Sequence, residues 1–192
     1  MTVRLVVALL LCSQAGTASG QERLYTGEDL AFLTHMIAHH QQAIDMAALV
    51  PARSDRKEFL SFARSLAGAQ LGEIDQMGAL LQAAADRGQA ASHHEMAGDP
   101  PMPGMLSKAE MAALERSSGA EFARLWLQGM IRHHQAGVDM ALAQQERDFT
   151  NQRQPYGIAA MADDIVTTQR GEIGMMKTWL SRWGLAQPAP ER

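Results

Sequence analysis

Cysteine is nearly absent from this sequence of 192 residues, and Cys12 is the only one. It lies in an N-terminal segment in which Arg4 precedes an apolar run, residues 5–11, and small residues follow up to Gly20. This order is typical of a secretory signal peptide, so we predict that residues 1–20 are removed on export. The mature chain would then have no thiol, which excludes disulfides, thiolate metal sites and covalently attached haem. Any metal must be bound by His, Met or carboxylate side chains.

Long apolar runs and basic clusters are also lacking. The apolar run of the signal segment is too short to span a bilayer, so no stable membrane insertion is expected after its removal. The formal net charge of −4 and the absence of a basic run argue against a nucleic-acid partner. Because the N-terminal segment is typical of a secretory signal peptide, we predict a periplasmic or secreted protein. Aromatic residues are few, whereas the thirteen methionines are many and either fill the core or act as soft ligands.

One segment occurs twice in the chain. Residues 36–46 read MIAHHQQAIDM, and residues 130–140 read MIRHHQAGVDM. The positions that carry an imidazole or a thioether in both copies are Met36, His39, His40, Met46, Met130, His133, His134 and Met140. Filling core volume does not require two adjacent imidazoles in each copy. The repeat therefore favours metal binding by these side chains.

The spacing of apolar residues predicts an all-α fold. They recur at helical intervals around each repeated segment, and a second repeated motif, Q-x-x-E-I, begins at Gln70 and at Gln169. We expect two duplicated helical hairpins, joined by a long linker, to pack as a four-helix bundle. The predicted segments are a signal peptide at 1–20, a first hairpin at 21–87, a Met/His/Pro-rich linker with a short helix at 88–118, a second hairpin at 119–184 and a tail at 185–192, with 21–184 forming one domain.

The period of the α-helix also predicts how the paired histidines face the core, because each residue is rotated by about 100° from the one before it. His40 is predicted to point into the buried seam, and His39 to lie at its edge beside Met46. Glu73 and Glu172 fall beside the apolar stripe of the partner helices, where they could join the imidazoles as ligands. The alternative is structural: histidines hydrogen-bonded to a Glu or Gln of the paired helix, and methionines that only pack.

The Pro/Gly-rich linker carries further donor groups. They are His93, His94, Met96, Met102 and Met105. A loop with two imidazoles and three thioethers suits a soft ion of low coordination number, such as Cu(I) or Ag(I). Zn²⁺ would favour thiolates or carboxylates beside the histidines. A linker whose composition has no binding role is the alternative.

Several motifs together resemble one known family. The paired M-I-x-H-H-x-x-x-V/I-x-M-A segments, the run G-M-L-S-x-x-E-M-x-x-L at residues 104–114 and the repeated Q-x-x-E-I-x-x-M resemble the domain-of-unknown-function 305 family over about residues 25–183. The resemblance implies a ferritin-like helical bundle exported in bacteria, with members that bind copper and silver through His and Met. The family's motif positions here are the eight His and Met positions of the repeat, with Glu73 and Glu172 as acidic positions.

These observations predict an exported metal-binding protein that sequesters or transports copper. Cu(I) is the preferred ion, with Cu(II) or Ag(I) as alternatives, and a copper exporter or chaperone is the expected protein partner. No catalytic constellation is present, so we do not expect an enzyme. A ferritin-like di-metal oxidase is a competing hypothesis, but Met36 and Met130 stand where that site would need a glutamate three residues before a histidine. Non-covalent haem binding and a helical interaction scaffold are two further hypotheses.

Overall fold

The computed structural model describes residues 24–89 and 102–186. The predicted signal peptide, with Cys12, therefore lies outside the described residues. The same is true of three predicted linker ligands, His93, His94 and Met96.

The described residues form five α-helices and no strand, which confirms the all-α prediction. The helices are α1 (Gly27–Ala48), α2 (Lys57–Ala85), α3 (Lys108–Arg116), α4 (Gly119–Thr150) and α5 (Ile158–Arg182). A short 3₁₀ turn, Val50–Ala52, joins α1 to α2. Within the described ranges, none of the helices combines the length and the apolar character needed to cross a membrane.

The helix ends follow from local sequence. α1 begins in a capping box, in which the Thr26 hydroxyl accepts from the Asp29 N–H and the Asp29 carboxylate accepts from the Thr26 N–H. Ser107 and Glu110 form the same arrangement at the start of α3. After α2, Gly88 takes a positive φ of 72°, a conformation that glycine adopts without steric cost.

α1 packs with α2, α4 packs with α5, and the two hairpins meet along an antiparallel interface between α1 and α4. The indole N–H of Trp126 donates to the carbonyl of Met46 at 2.8 Å. At the opposite end of the interface, the side-chain amide of Gln144 donates to Asp29, also at 2.8 Å. α4 extends to Thr150, and its last turns include Asp148, which accepts from Gln144.

Two apolar clusters fill the bundle. The first contains the aromatic residues Phe59, Phe62, Phe122, Trp126 and Trp179, and we call it the aromatic cluster. The second, which we call the aliphatic cluster, includes Leu30, Leu33, Met36, Met77 and Ile165. Burial of these side chains supplies the main driving force for folding, at roughly 25 cal/mol for each Å² of apolar surface removed from water.

The end of the linker is fixed onto the bundle. The side chain of Gln42 accepts from the N–H of Leu106 at 2.7 Å and donates to its carbonyl at 2.9 Å. Gly104, with φ of +78°, lies so close to α4 that an added Cβ would clash with Ala136 and would be 2.8 Å from the carbonyl oxygen of Arg132. The linker therefore crosses α4 where only a glycine fits.

We expect Gly104→Ala to lower the free energy of unfolding by at least about 2 kcal/mol, because the methyl group adds a clash to an unfavourable backbone conformation. Gly174→Ala is the matched control, since a Cβ there would meet no atom within 4 Å. In the interior of α5 this control should instead gain about 0.5–1 kcal/mol. Urea denaturation of both variants measures the difference, and equal stability of the two would contradict the close approach.

Candidate metal centre

A layer of buried polar side chains separates the two apolar clusters. This polar layer consists of His39, His40, His133, His134, Gln70 and Gln169. On each of the four long helices its residues lie between positions that pack in the aromatic cluster and positions that pack in the aliphatic cluster. All four histidines have no exposed surface. The fold therefore brings the two His-His pairs of the repeat together at the middle of the bundle.

The predicted orientation of the pairs was wrong in one respect. His39 does not lie at the edge of the seam; it is as fully buried as His40. The reason is that α1 is covered on two sides. His40 faces α2, where it meets Glu73, and His39 faces α4, where it meets His133.

His39 and His133 stack across the interface between α1 and α4. Their ring centroids are 3.6 Å apart, and the ring planes are inclined by 27°. In the described part of the chain, none of the four ring nitrogens has a hydrogen-bond partner. A buried polar group without a partner costs about 1–3 kcal/mol. The stack is thus an unfavourable feature of the metal-free core.

Burial keeps both stacked imidazoles neutral. Burial, together with the neighbouring imidazoles of His40 and His134, lowers the pKa of His39 to about 3. Burial likewise holds the pKa of His133 well below its ordinary value, with His39 as the nearest opposing imidazole. A neutral imidazole carries a lone pair on one of its nitrogens. Each stacked ring therefore keeps a nitrogen able to coordinate a metal at neutral pH.

The other two histidines are oriented by carboxylates. The Nε2 atom of His40 bonds Glu73, and that of His134 bonds Glu172 at 2.8 Å. A neutral ring that donates through Nε2 has its lone pair at Nδ1, and both Nδ1 atoms are buried without a partner among the described residues. Carboxylates that hold a histidine in this way commonly orient metal ligands and increase their basicity.

Two glutamines complete the polar layer. Gln70 lies on α2 one turn before Glu73, and Gln169 lies on α5 one turn before Glu172. Gln169 packs directly on Gly137 of α4, where a Cβ would clash with its amide. The Oε1 atom of each glutamine lacks a hydrogen-bond partner in the described ranges. The glutamines of the polar layer, like its histidines, therefore have buried polar atoms without hydrogen-bond partners among the described residues.

The donor atoms do not form a preformed cage. No three His, Cys, Asp or Glu side chains of residues 24–89 and 102–186 are grouped so that they could hold a metal ion. The lone pairs of an imidazole lie in the ring plane, so the stacked His39 and His133 do not point at a common ion between them. What the layer offers is a set of nitrogen donors in an apolar core. This set fits soft ions better than hard ones, because hard ions prefer oxygen ligands.

The repeated methionines differ between the two copies. Met36 and Met130, one turn before each histidine pair, are fully buried in the aliphatic and the aromatic cluster respectively. Met46 is also fully buried, whereas its counterpart Met140 is half-buried and lines a surface groove. That groove also contains His35, one turn before His39. Sequence reasoning missed His35, although its spacing of four residues from His39 was a usable signal.

Of the predicted linker ligands, the structure describes only Met102 and Met105. Both are half-buried, and they lie on either side of Gly104. A Cβ atom added at Gly104 would be 3.4 Å from the Cα atom of His133. The end of the linker therefore lies on α4 beside the polar layer. The remaining linker donors lie outside the described residues.

The fold and the site define a class of protein, the four-helix bundle with paired histidines in its core. The profile of the family described as a domain of unknown function, DUF305, matches residues 29–154, and the chain belongs to this family. The search of curated proteins returned no match.

Three solved structures illustrate the relationship. A predicted secreted DUF305 protein from Streptomyces coelicolor is 29% identical, with a TM-score of 0.71 over 84% of this chain and 97% of that one. A DUF305 fragment from Deinococcus radiodurans is 34% identical, with a TM-score of 0.68 over 82% and 97%. CopM in its Cu(I)-bound form is 30% identical, with a TM-score of 0.62 over 81% and 96%. CopM structures also exist in Cu(II)-bound and Ag-bound forms.

We expect the metal-free protein to lose stability as the pH falls below about 6.5. The unfolded chain protonates His39 near that pH, whereas the folded chain does so only near pH 3. The unfolded state therefore binds more protons between these values, and stability falls with pH. From His39 alone, the loss between pH 7 and pH 5 should be about 2 kcal/mol.

Urea denaturation at several pH values, with a metal chelator present, measures this slope. The double variant His39→Leu, His133→Leu is the control and should show a shallower dependence on pH. A wild-type stability that stays constant between pH 7 and pH 5 would contradict the burial of neutral imidazoles.

Proposed function

We propose that this protein is an exported metal-binding protein that binds Cu(I), with Ag(I) as a chemically similar alternative. The observation that carries the proposal is the polar layer, in which His39 and His133 have four buried ring nitrogens without partners among the described residues. A core that served packing alone would be more stable with apolar side chains at these positions. Similarity to CopM, which has been solved with copper and with silver, supports the same conclusion.

The roles of the layer residues follow from their contacts. His39 and His133 are proposed as direct ligands, because their rings have no hydrogen-bonding partner in the described structure. Binding one ion would require the two rings to turn out of their stacked arrangement. His40 and His134 are proposed to coordinate through Nδ1, with Glu73 and Glu172 holding the rings in place. The buried thioethers of Met36 and Met130 stand one turn away as further soft donors.

Sequestration or delivery suits this arrangement better than catalysis. The only carboxylates that bond the polar layer, among the residues that the structure describes, are Glu73 and Glu172, and each is engaged by a histidine. A carboxylate-bridged di-iron centre would require more oxygen ligands than these. A transported ion must also be released, so a copper exporter or chaperone is the partner we propose for it.

The double variant His39→Leu, His133→Leu should lose Cu(I) affinity by at least about 100-fold, because two direct ligands are removed. The same change should raise the free energy of unfolding of the metal-free protein by about 1–3 kcal/mol, because unpartnered buried nitrogens are removed. Anaerobic titration against a chromophoric Cu(I) competitor measures the affinity, in a Cys12→Ser background so that no thiol competes. Gln41→Ala, Gln135→Ala is the matched control on the outer face of the repeat. Unchanged Cu(I) binding in the leucine variant would refute the proposal.

The double variant Glu73→Gln, Glu172→Gln should bind Cu(I) about 10- to 100-fold more weakly, the usual effect of removing a carboxylate that orients a histidine ligand. Glutamine keeps an acceptor oxygen but removes the negative charge. The same competitive titration measures the change. Its control is Glu58→Gln, at an exposed carboxylate on α2 that contacts Arg182. A decrease of equal size in this control would attribute the effect to net charge instead of histidine orientation.

A further inference from the structure

A surface groove between α1 and α4 contains a second set of soft donors. Its cavity has a volume of about 240 Å³ and is lined by His35 and Phe32 from α1 and by Met140 from α4, with Glu28 and Arg147 at its charged end. His35 and Met140 are both half-buried, so they are reachable from solvent. Within the described residues, the imidazole of His35 forms no hydrogen bond, and its nitrogens remain available.

The groove has a filled counterpart at the opposite end of the same interface. In the repeat, Phe32 corresponds to Trp126, His35 to Gly129, and Met140 to Met46. At that opposite end the larger indole bonds the backbone of Met46. Leu106 from the linker covers Gly129. The Cδ2 atom of Leu106 would be 3.2 Å from a Cβ atom added at Gly129.

Two differences leave the groove open. Phe32 is smaller than Trp126, and no described linker residue lines the groove as Leu106 covers Gly129. Met140 is therefore only half-buried, and His35 stands where the counterpart end has a glycine. At the end of the interface near Trp126, packed side chains fill this space. At the opposite end the space is open and is lined by the imidazole of His35 and the thioether of Met140.

From this geometry we infer that the groove is a separate, solvent-accessible binding site for one soft monovalent cation, held by His35 and Met140. Imidazole nitrogen and thioether sulfur are ligands that Cu(I) and Ag(I) accept at low coordination number. The charges that face the groove favour a monovalent ion. The carboxylate of Glu28 is offset by the guanidinium of Arg147, which bonds Gln144, so a divalent ion would not be neutralised.

The site does not depend on the polar layer, because none of its residues belongs to that layer. It is also independent of the predicted linker ligands. The proposed function and this inference can therefore fail separately.

Ag(I) is the probe for the test, because it does not change oxidation state in air. The protein, in the Cys12→Ser background, is labelled with ¹³C at the methionine methyl groups and titrated with Ag(I) while methyl signals are followed by NMR. We expect the Met140 signal to shift and to saturate with one equivalent of ion in the groove. The signal of Met175, an exposed methionine on α5 away from the groove, is the internal control.

Two variants decide the outcome. In His35→Gln the Met140 shift should need at least about tenfold more Ag(I), because one of the two ligands is lost. In His39→Leu, His133→Leu the shift should be retained. An unchanged Met140 signal in the wild type, an undiminished response in His35→Gln, or loss of the response in the leucine variant would each overturn the inference. A retained Met140 response together with unaltered high-affinity Cu(I) binding in the leucine variant would refute the proposed function and leave the groove site standing.

Discussion

The main constraint that the rest of the structure must accommodate is the stack of two neutral imidazoles, His39 on His133, at the centre of the bundle. The contact lies where α1 and α4 cross, and so where the two hairpins meet. It is not the contact that a stable core would contain, because four ring nitrogens are buried without partners in the described residues. The two apolar clusters on either side offset this cost. The free energy gained by burying their side chains is large compared with a few kcal/mol. A core built in this way is less stable than an apolar core of the same shape would be, and such a loss of stability is common at functional sites.

The repeated segments explain why the donors converge. His39 and His133 occupy equivalent positions of the repeat, and they contact each other directly. An antiparallel pair of equivalent helices that meets at one equivalent position behaves as if an approximate two-fold axis passed through the contact. The same relation places His40 with Glu73 and His134 with Glu172 on opposite sides of the stack. One pattern, used twice, thus gives a layer of four imidazoles from helices that carry only two each.

The departures from that symmetry are as informative as the symmetry. Leu106, fixed by Gln42, closes one end of the interface between α1 and α4. The opposite end has His35 in place of a glycine and keeps an open groove beside Met140. Asp29, Gln144 and Arg153 join the helices by hydrogen bonds at that end, so the groove is bounded by a polar network instead of a plug. The two ends of one interface therefore differ in chemistry although their helices share one sequence pattern.

The sequence by itself determined the helices and the histidine pairs. Helical spacing of apolar residues, the capping residues Thr26 and Ser107, and Gly88 are local signals, and local signals are sufficient to define helices and their ends. The repeat identified the His-His pairs as candidate ligands for the same reason. Only the tertiary structure decided which way each imidazole faces, that His39 is buried against His133, and that Met46 is buried whereas Met140 is half-buried. These features depend on which helix covers each side of α1 and on where the linker packs, and a helical wheel drawn for one helix contains neither.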